Sequence, residues 1–301
     1  MTCLCATLAL RWSLEEVIVK FQEQDEQHGG LVELPKARMI NPLRAIFSFA
    51  GKTLTIAELE ARKLSHDSTE LITRAVQPAL WLVIFGEVMA RIRAIPTGDL
   101  SYIDFMAPGI LAQSVLFIAI FYGIAVIWER DLGILHKFLA SPTPRAALVL
   151  GKALSAGERA LVQAVIVYLL ALVLGVKLNW NPLALVGVLV VVLLGSALFS
   201  TFSLIIACLV KTRERFMGIG QVLTMPLFFA SNAIYPISIM PSWLQVISQG
   251  NPLTYEVDAL RVLMVTGGIA TYGLAIDIAV LLATTAVMVI VAARLYPRVI
   301  I

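Results

Sequence analysis

Two short motifs in this sequence have the glycine and lysine that a phosphate-binding loop requires. Gly51-Lys52-Thr53 matches the closing residues of the pattern G-x-x-x-x-G-K-[ST], in which backbone amides and the lysine bind nucleotide phosphates. The first glycine of that pattern would fall at Ile46, and no buried strand precedes it. Gly151-Lys152-Ala153 fails in the same way. The chain therefore has no visible ATP site, and we expect any energy from ATP hydrolysis to come from a separate polypeptide.

Metal and thiol chemistry have little support either. A metal site needs clustered ligands, whereas the cysteines and histidines here are few and scattered. They are Cys3, Cys5, Cys208, His28, His66 and His136. We expect no catalytic residue, no metal site and no cofactor bound by this chain, which is therefore not an enzyme by itself.

The composition indicates a membrane protein. Hydrophobic residues make up 59% of the 301 residues and charged residues 14%, against roughly 45–50% and 25% in soluble domains. The formal net charge of +3 is scattered, without the basic stripe that binds nucleic acid. Apolar blocks of about 20 residues, each long enough to cross a bilayer, account for the excess. We predict an all-α membrane protein with six transmembrane helices, at about 72–90, 105–128, 160–176, 183–210, 216–235 and 272–293.

Positive charges in the connections predict how these helices are oriented. Cytoplasmic loops carry an excess of lysine and arginine, and three segments have it: the one before the first span, the one between spans two and three, and the one between spans four and five. We therefore place both termini in the cytoplasm and the protein in the cell inner (plasma) membrane. Residues 1–40 form a polar cytoplasmic extension, residues 41–70 an amphipathic helix on the lipid surface, and residues 71–301 the six-span domain.

The stretch after the fifth predicted span is unusual. From Phe216 to Tyr255 there is no charged residue in a run of 40, and the run is interrupted by Pro226, Pro236, Pro241, Gly250 and Pro252. One full helix followed by short half-helices that dip back into the outer leaflet fits this pattern, since protein or water can shield such backbone. Pro241 and Trp243 indicate the start of one half-helix at the membrane interface.

The connection between spans two and three, residues 129–155, contains a short amphipathic helix. Leu132, Leu135, Phe138 and Leu139 recur at helical spacing, and Ser141-Pro142 ends the pattern. Periodicity alone leaves two alternatives open: the helix docks a partner protein, or it lies on the bilayer.

This connection resembles the first intracellular loop of the ABC-2 type permease family, the membrane subunits of bacterial drug, polysaccharide and lipid exporters, and the corresponding loop of ABC subfamily G transporters. From the family pattern E-R-E-x-G-T-L-E-x-L-x-x-[ST]-P, followed by G-K, this sequence departs at Ile134 and His136, where the family often has Thr and an acidic residue. Matching residues are Glu129, Arg130, Asp131, Gly133, Leu135, Leu139, Ser141, Pro142, Gly151 and Lys152. The segment NPLTYEVDALRVLM at 251–264, with the region before it, resembles a second family element.

The resemblance implies the permease of an ATP-driven exporter. A second copy of the chain would complete the pathway, and separate ATPase subunits would use ATP and Mg. Residues implied in coupling to the ATPase are Glu129, Arg130, Asp131, Leu132, Leu135, Lys137, Phe138, Leu139 and Pro142. Residues implied in re-entrant helices that close the exit are Tyr235, Pro236, Pro241, Trp243, Asn251, Pro252 and Tyr255.

Polar side chains within the predicted spans have two readings. Small and hydroxyl residues allow close helix packing, but polar groups in a membrane also mark pathways. The candidates for the pathway are Gln113, Ser200, Gln221 and Asp277. An ion-coupled secondary transporter or channel, using Asp277, Arg74 and Glu87, is the main alternative function, and a membrane scaffold is a third.

Overall fold

The structure is a computed structural model that describes residues 76–92, 95–132, 145–210 and 212–296. Within these ranges the regular structure is helical, which confirms the predicted all-α class. A π-helix, Leu80–Gly86, continues into α1 (Glu87–Ile92). The other helices are α2 (Tyr102–Asp131), α3 (Arg145–Val173), α4 (Pro182–Leu209), α5 (Arg213–Phe229), α6 (Ser242–Gly250), α7 (Pro252–Met264) and α8 (Leu274–Leu295). The predicted extension at 1–40 and amphipathic helix at 41–70 lie outside the described residues.

The same dipeptide starts two of these helices. Asn181 precedes Pro182 at the start of α4, and Asn251 precedes Pro252 at the start of α7. Each asparagine side chain accepts a hydrogen bond from the backbone N–H two residues on, at 3.0 and 3.1 Å. Proline suits the first helical position because its missing N–H would have no partner there, so Asn-Pro fixes both starts locally.

Helix α2 is the centre of the fold. It packs against α3, α4, α5, α7 and the helix before it, and 22 of its 30 residues are buried. Close approach depends on small residues. A Cβ atom on Gly109 would lie 2.7 Å from Ala233 Cα, and one on Gly123 would lie 2.8 Å from the Phe216 ring. The hydroxyl of Ser203 on α4 donates a hydrogen bond to the Ile120 carbonyl of α2.

Four helices of the described residues are long and apolar enough to cross a membrane: Tyr102–Asp131, Leu148–Val173, Pro182–Leu209 and Leu274–Leu295. They fall at the second, third, fourth and sixth predicted spans. The fifth predicted span differs from the structure, because α5 has 17 residues and ends at Phe229 rather than near Tyr235. The Ser231 side chain there donates a hydrogen bond to the Phe228 carbonyl at 2.7 Å, in competition with a further helical turn. The six-span topology as a whole remains a prediction.

Candidate functional site

Three consecutive charged residues at the end of α2 each contact a different helix or connection. Glu129 forms an ion pair with Lys152 of α3, and both residues are buried, at 8% and 6% exposure. The Lys152 Nζ atom also lies 5.9 Å from the centre of the Tyr122 ring. Because these two residues bracket residues 130–151, the ion pair joins the two helices from which the predicted coupling segment departs.

The next two residues join α2 to the connection between α4 and α5. Arg130 Nη1 donates to the Val210 carbonyl at 3.3 Å, where that oxygen lies just beyond the end of α4. Asp131 accepts two hydrogen bonds from Arg213, at 2.8 and 3.2 Å. The guanidinium of Arg213 in turn lies 3.6 Å from the centre of the Trp128 ring. We call Glu129, Arg130, Asp131, Lys152 and Arg213 the charged cluster.

The charged cluster shows which contacts within this chain the first three predicted coupling residues make. The motif predicted that Glu129, Arg130 and Asp131 belong to a coupling segment, and in the structure their side chains contact other helices of this chain. Leu132 follows them and is 67% exposed. The predicted coupling residues Leu135, Lys137, Phe138, Leu139 and Pro142 lie outside the described residues, so their role stays a prediction.

The predicted exit residues lie around the starts and ends of α5, α6 and α7. Tyr235 donates its hydroxyl hydrogen to the Phe229 carbonyl, and Pro236 precedes a short 3₁₀-helix, Ile237–Ile239. Pro241 precedes α6, and Trp243 is 65% exposed. This exposure fits a ring at a membrane interface.

Asn251, Pro252 and Tyr255 hold α7 in place. The Asn251 side chain accepts from Leu253 N and donates to the Leu227 carbonyl of α5 at 2.7 Å. The Tyr255 hydroxyl donates to the Gln249 carbonyl at 2.7 Å, and its ring centre lies 5.1 Å from that of Tyr272. Helix α7 is thereby tied to α5, α6 and the start of α8.

Replacing Asn251 with alanine should cost more than the same change at Asn181. Both variants lose a helix cap, worth about 0.5–2 kcal/mol, but Asn251→Ala also leaves the Leu227 carbonyl without its side-chain donor, which costs about 1–3 kcal/mol more when buried. Thermal unfolding of the two purified variants measures the difference. Equal losses would contradict the tie between α7 and α5.

Two further charged residues of α7, Asp258 and Arg261, bind segments outside that helix. Asp258 accepts from the backbone N–H groups of Thr271 and Tyr272, at 2.6 and 3.0 Å. Arg261 donates to the Asn232 carbonyl at 2.7 Å, and its guanidinium carbon lies 4.0 Å from the centre of the Phe105 ring. Both charges are buried and directed at fixed partners.

The four pathway candidates lie on four different helices. Gln113 and Ser200 are buried on α2 and α4, whereas Gln221 is exposed on α5. Asp277 on α8 is fully buried, and neither of its carboxyl oxygens has a hydrogen-bond partner among the described residues.

A cleft of about 300 Å³ lies beside the turns of α2 that follow Gln113. Its lining residues are Gln77, Pro78, Ser114, Phe117, Ile118, Phe121 and Gln163. The Phe117 and Phe121 rings stack with centres 6.0 Å apart. Hydropathy does not tell which face of a helix a residue occupies, so the sequence alone does not place Ser114 and Gln163 in a cleft. The lining combines aromatic surface with a few polar groups, as ligand sites do.

Among the described residues no group of three or more His, Cys, Asp or Glu side chains is arranged to hold a metal ion. The protein is thus a helical membrane protein. The side chains of its charged cluster join helices to one another.

Comparison with known proteins assigns this membrane protein to a family. The sequence model of the ABC-2 type transporter family matches residues 52–265. The chain belongs to this family, which confirms the resemblance found in its motifs and makes it a membrane permease of the ABC transporter class.

Individual relatives agree with this assignment. A protein of Cyanophora paradoxa named as a transport permease, ycf38, is 31% identical over 72% of this chain and 75% of its own length. The daunorubicin resistance ABC transporter permease protein DrrB1 of Streptomyces coeruleorubidus is 26% identical over 74% of this chain and 77% of its own. A Mycobacterium tuberculosis protein named as a doxorubicin resistance ABC transporter permease, DrrC, is 25% identical over 76% and 83%.

Proposed function

We propose that this chain is the membrane permease of an ATP-driven exporter, that two copies form the pathway, and that separate ATPase subunits dock on residues 129–152. The chain would lie in the plasma membrane with both termini in the cytoplasm, and ATP and Mg would bind to the partner. Family membership and the names of the drug-resistance relatives support the class. The observation that carries the coupling proposal is the buried ion pair between Glu129 and Lys152.

This ion pair would let α2 and α3 transmit a movement of the ATPase to the membrane domain. A force applied to the coupling segment acts on two helix ends joined by a buried charge pair, so the ends move together. Arg130 and Asp131 extend the connection to the ends of α4 and α5. Movement of the coupling segment would therefore reach four helices.

The cleft beside Phe117 and Phe121 is the proposed part of the pathway in one copy of the chain. It lies beside the middle of α2, the same helix whose C-terminal end carries the charged cluster. Stacked aromatic rings with nearby Ser114 and Gln163 suit an apolar substrate that carries a few polar groups. Alternating access requires two bodies that rock about such a site, and the second copy would supply the other body.

Replacing Leu135 or Phe138 with aspartate should release or uncouple the ATPase and leave the permease in the membrane. The apolar face of the predicted amphipathic helix would then carry a charge that an apolar docking surface excludes. Co-purification of the ATPase and its ATP hydrolysis in the complex measure the effect. Leu135→Met and Phe138→Leu, which keep the face apolar, serve as controls. A complex retained with full activity in the aspartate variants would count against docking at this segment.

The buried carboxyl group of Asp277 favours one alternative, an ion-coupled secondary transporter or channel. A polar group inside a membrane domain without a partner is a candidate ion site. Transport driven by a proton gradient in vesicles that contain only this chain would support it. Transport that requires the ATPase and ATP supports the exporter.

A further inference from the structure

Glu256 on α7 is an acidic residue that the proposed export mechanism does not use. It is 0% exposed, and both of its carboxyl oxygens are buried without a hydrogen-bond partner among the described residues. Its neighbours Asp258 and Arg261 on the same helix have several partners each. Glu256 therefore lies in a different environment from the other charged residues of α7.

The carboxyl group of Glu256 packs against α4 at a glycine. A Cβ atom on Gly195 would overlap the Glu256 carboxyl group, and one on Gly187 would lie 2.9 Å from Leu263 Cδ2. Glu256 and Leu263 are two helical turns apart on α7, so one face of α7 rests on two glycines of α4. Residues 182–209 of α4 include no charged residue. The side chain thus meets an apolar helix surface.

Charged groups on the elements around α7 are directed elsewhere. Asp104 of α2 accepts from Lys177 N at 3.0 Å, and Asp258 binds the backbone after α7. Arg261 is directed at Asn232 and Phe105. The remaining titratable groups on elements that contact α7 near this end are Asp277 on α8 and the phenols of Tyr102, Tyr255 and Tyr272. Helix α6 has no charged residue, so no described cation is paired with Glu256.

An ionised carboxylate in such a place would lose its hydration without gaining a partner, which costs far more than burying the neutral acid. Burial accordingly raises the pKa of Glu256 well above its ordinary value. The neutral acid needs no counter-ion and fits the recess above Gly195.

We propose that Glu256 is a proton-binding residue: in its neutral form it holds α7 against α4, and loss of the proton separates the two helices. The ligand of this site is a proton, and the site lies between a membrane helix and the helix that carries the predicted exit residues Pro252 and Tyr255. The inference concerns the packing of α7 on α4, and its tests require neither an ATPase nor a transported substrate.

The first test compares the stability of the wild-type chain and Glu256→Gln as the pH rises. A glutamate whose folded pKa exceeds its unfolded value of about 4.3 contributes stability that is complete below that unfolded value and is lost as the pH rises toward the folded pKa. The Tm of the wild-type chain should therefore fall between pH 5 and pH 9 by about 3–6 °C more than that of Glu256→Gln. Glu214→Gln, at an exposed carboxyl group on α5, should follow the wild type.

The second test measures separation of the two helices directly. Leu263 on α7 lies against Gly187 of α4 and is half-buried, so Leu263→Cys, with Cys3, Cys5 and Cys208 replaced by serine, reports on separation of α4 and α7. Labelling by a membrane-permeable maleimide should accelerate between pH 6 and pH 9 beyond the increase at the exposed control Ser242→Cys, and Glu256→Gln should abolish the excess. Equal pH dependence at both cysteines, or the same Tm profile in wild type and Glu256→Gln, would overturn the proposal.

Discussion

Glu129→Gln should destabilise the membrane domain by about 3–5 kcal/mol, the usual cost of removing one partner from a buried ion pair. The variant leaves the Lys152 ammonium 6% exposed without its carboxylate. The nearby Tyr122 ring, 5.9 Å from Nζ, offsets only part of this loss, since a cation–π contact contributes about 0.5–2 kcal/mol. Thermal or denaturant unfolding of the purified chain measures the change.

The double variant Glu129→Met with Lys152→Met separates charge from packing. Replacing both partners of a buried pair with apolar residues of similar volume is often neutral, so this variant should regain most of the stability that Glu129→Gln loses. A double-mutant cycle then gives the coupling energy of the pair. Purely additive losses in the cycle would mean that the two side chains do not stabilise each other.

Asp131→Asn provides the matched control within the charged cluster. Its ion pair with Arg213 is partly exposed, at 38% and 34% of the side chains, so solvent screens it and the loss should be much smaller than that of Glu129→Gln. If the exposed pair proved as costly as the buried one, the ranking by burial would be wrong. If the proposed exporter complex is assembled with its ATPase, Glu129→Gln should also lower substrate-stimulated ATP hydrolysis, because the ion pair proposed to make α2 and α3 move together would be lost.

The sequence was sufficient for those features that local chemistry determines. Asn-Pro at 181–182 and 251–252 fixes two helix starts whatever the surrounding fold. In the proline-rich stretch after α5, α6 begins directly after Pro241, while the predicted dip of these helices into the outer leaflet stays a prediction. These features depend on a few neighbouring residues, which the sequence shows directly.

Pairings across the fold could not be predicted in this way. Glu129 and Lys152 are both visible as motif residues, but they are 23 positions apart in the chain, and their contact depends on how α2 and α3 pack against each other. The sequence did contain a signal for this ion pair, because residues of opposite charge lie near the ends of two apolar helices, on either side of one loop. The ion pair of Arg213 with Asp131 could not be predicted from the sequence, because the whole of α3 and α4 lies between the two residues in the chain.

Glu256 was missed because sequence pattern alone treats a glutamate in a short polar-looking helix as solvated. Its helix, NPLTYEVDALR, has two acids and an arginine, and only the structure shows that Asp258 and Arg261 are bound to partners while Glu256 faces an apolar helix. Gln113 and Ser114 show the same difficulty, since adjacent residues on a helix point about 100° apart. Ser114 lines the cleft and Gln113 does not.

Gly109→Ala should be among the most damaging small substitutions in the chain, with a loss of about 1–3 kcal/mol from overpacking. The added methyl group would lie 2.7 Å from Ala233 Cα and 2.9 Å from its carbonyl carbon. Backbone atoms cannot turn away as a side chain end can, so α2 or the segment around Ala233 must shift. That segment leads into Tyr235 and Pro236 of the predicted exit.

Gly218→Ala tests whether this cost comes from contact rather than from losing a glycine. Gly218 lies inside α5, and a Cβ atom there meets nothing within 4 Å. Alanine is favoured over glycine in a helix interior by about 0.5–1 kcal/mol, so this variant should be more stable than the wild type. Unfolding of both variants under the same conditions should therefore give changes of opposite sign. If Gly109→Ala were as stable as Gly218→Ala, the close approach of α2 to Ala233 would not exist in the folded protein, and substitutions in α2 would have no direct route to the exit segment.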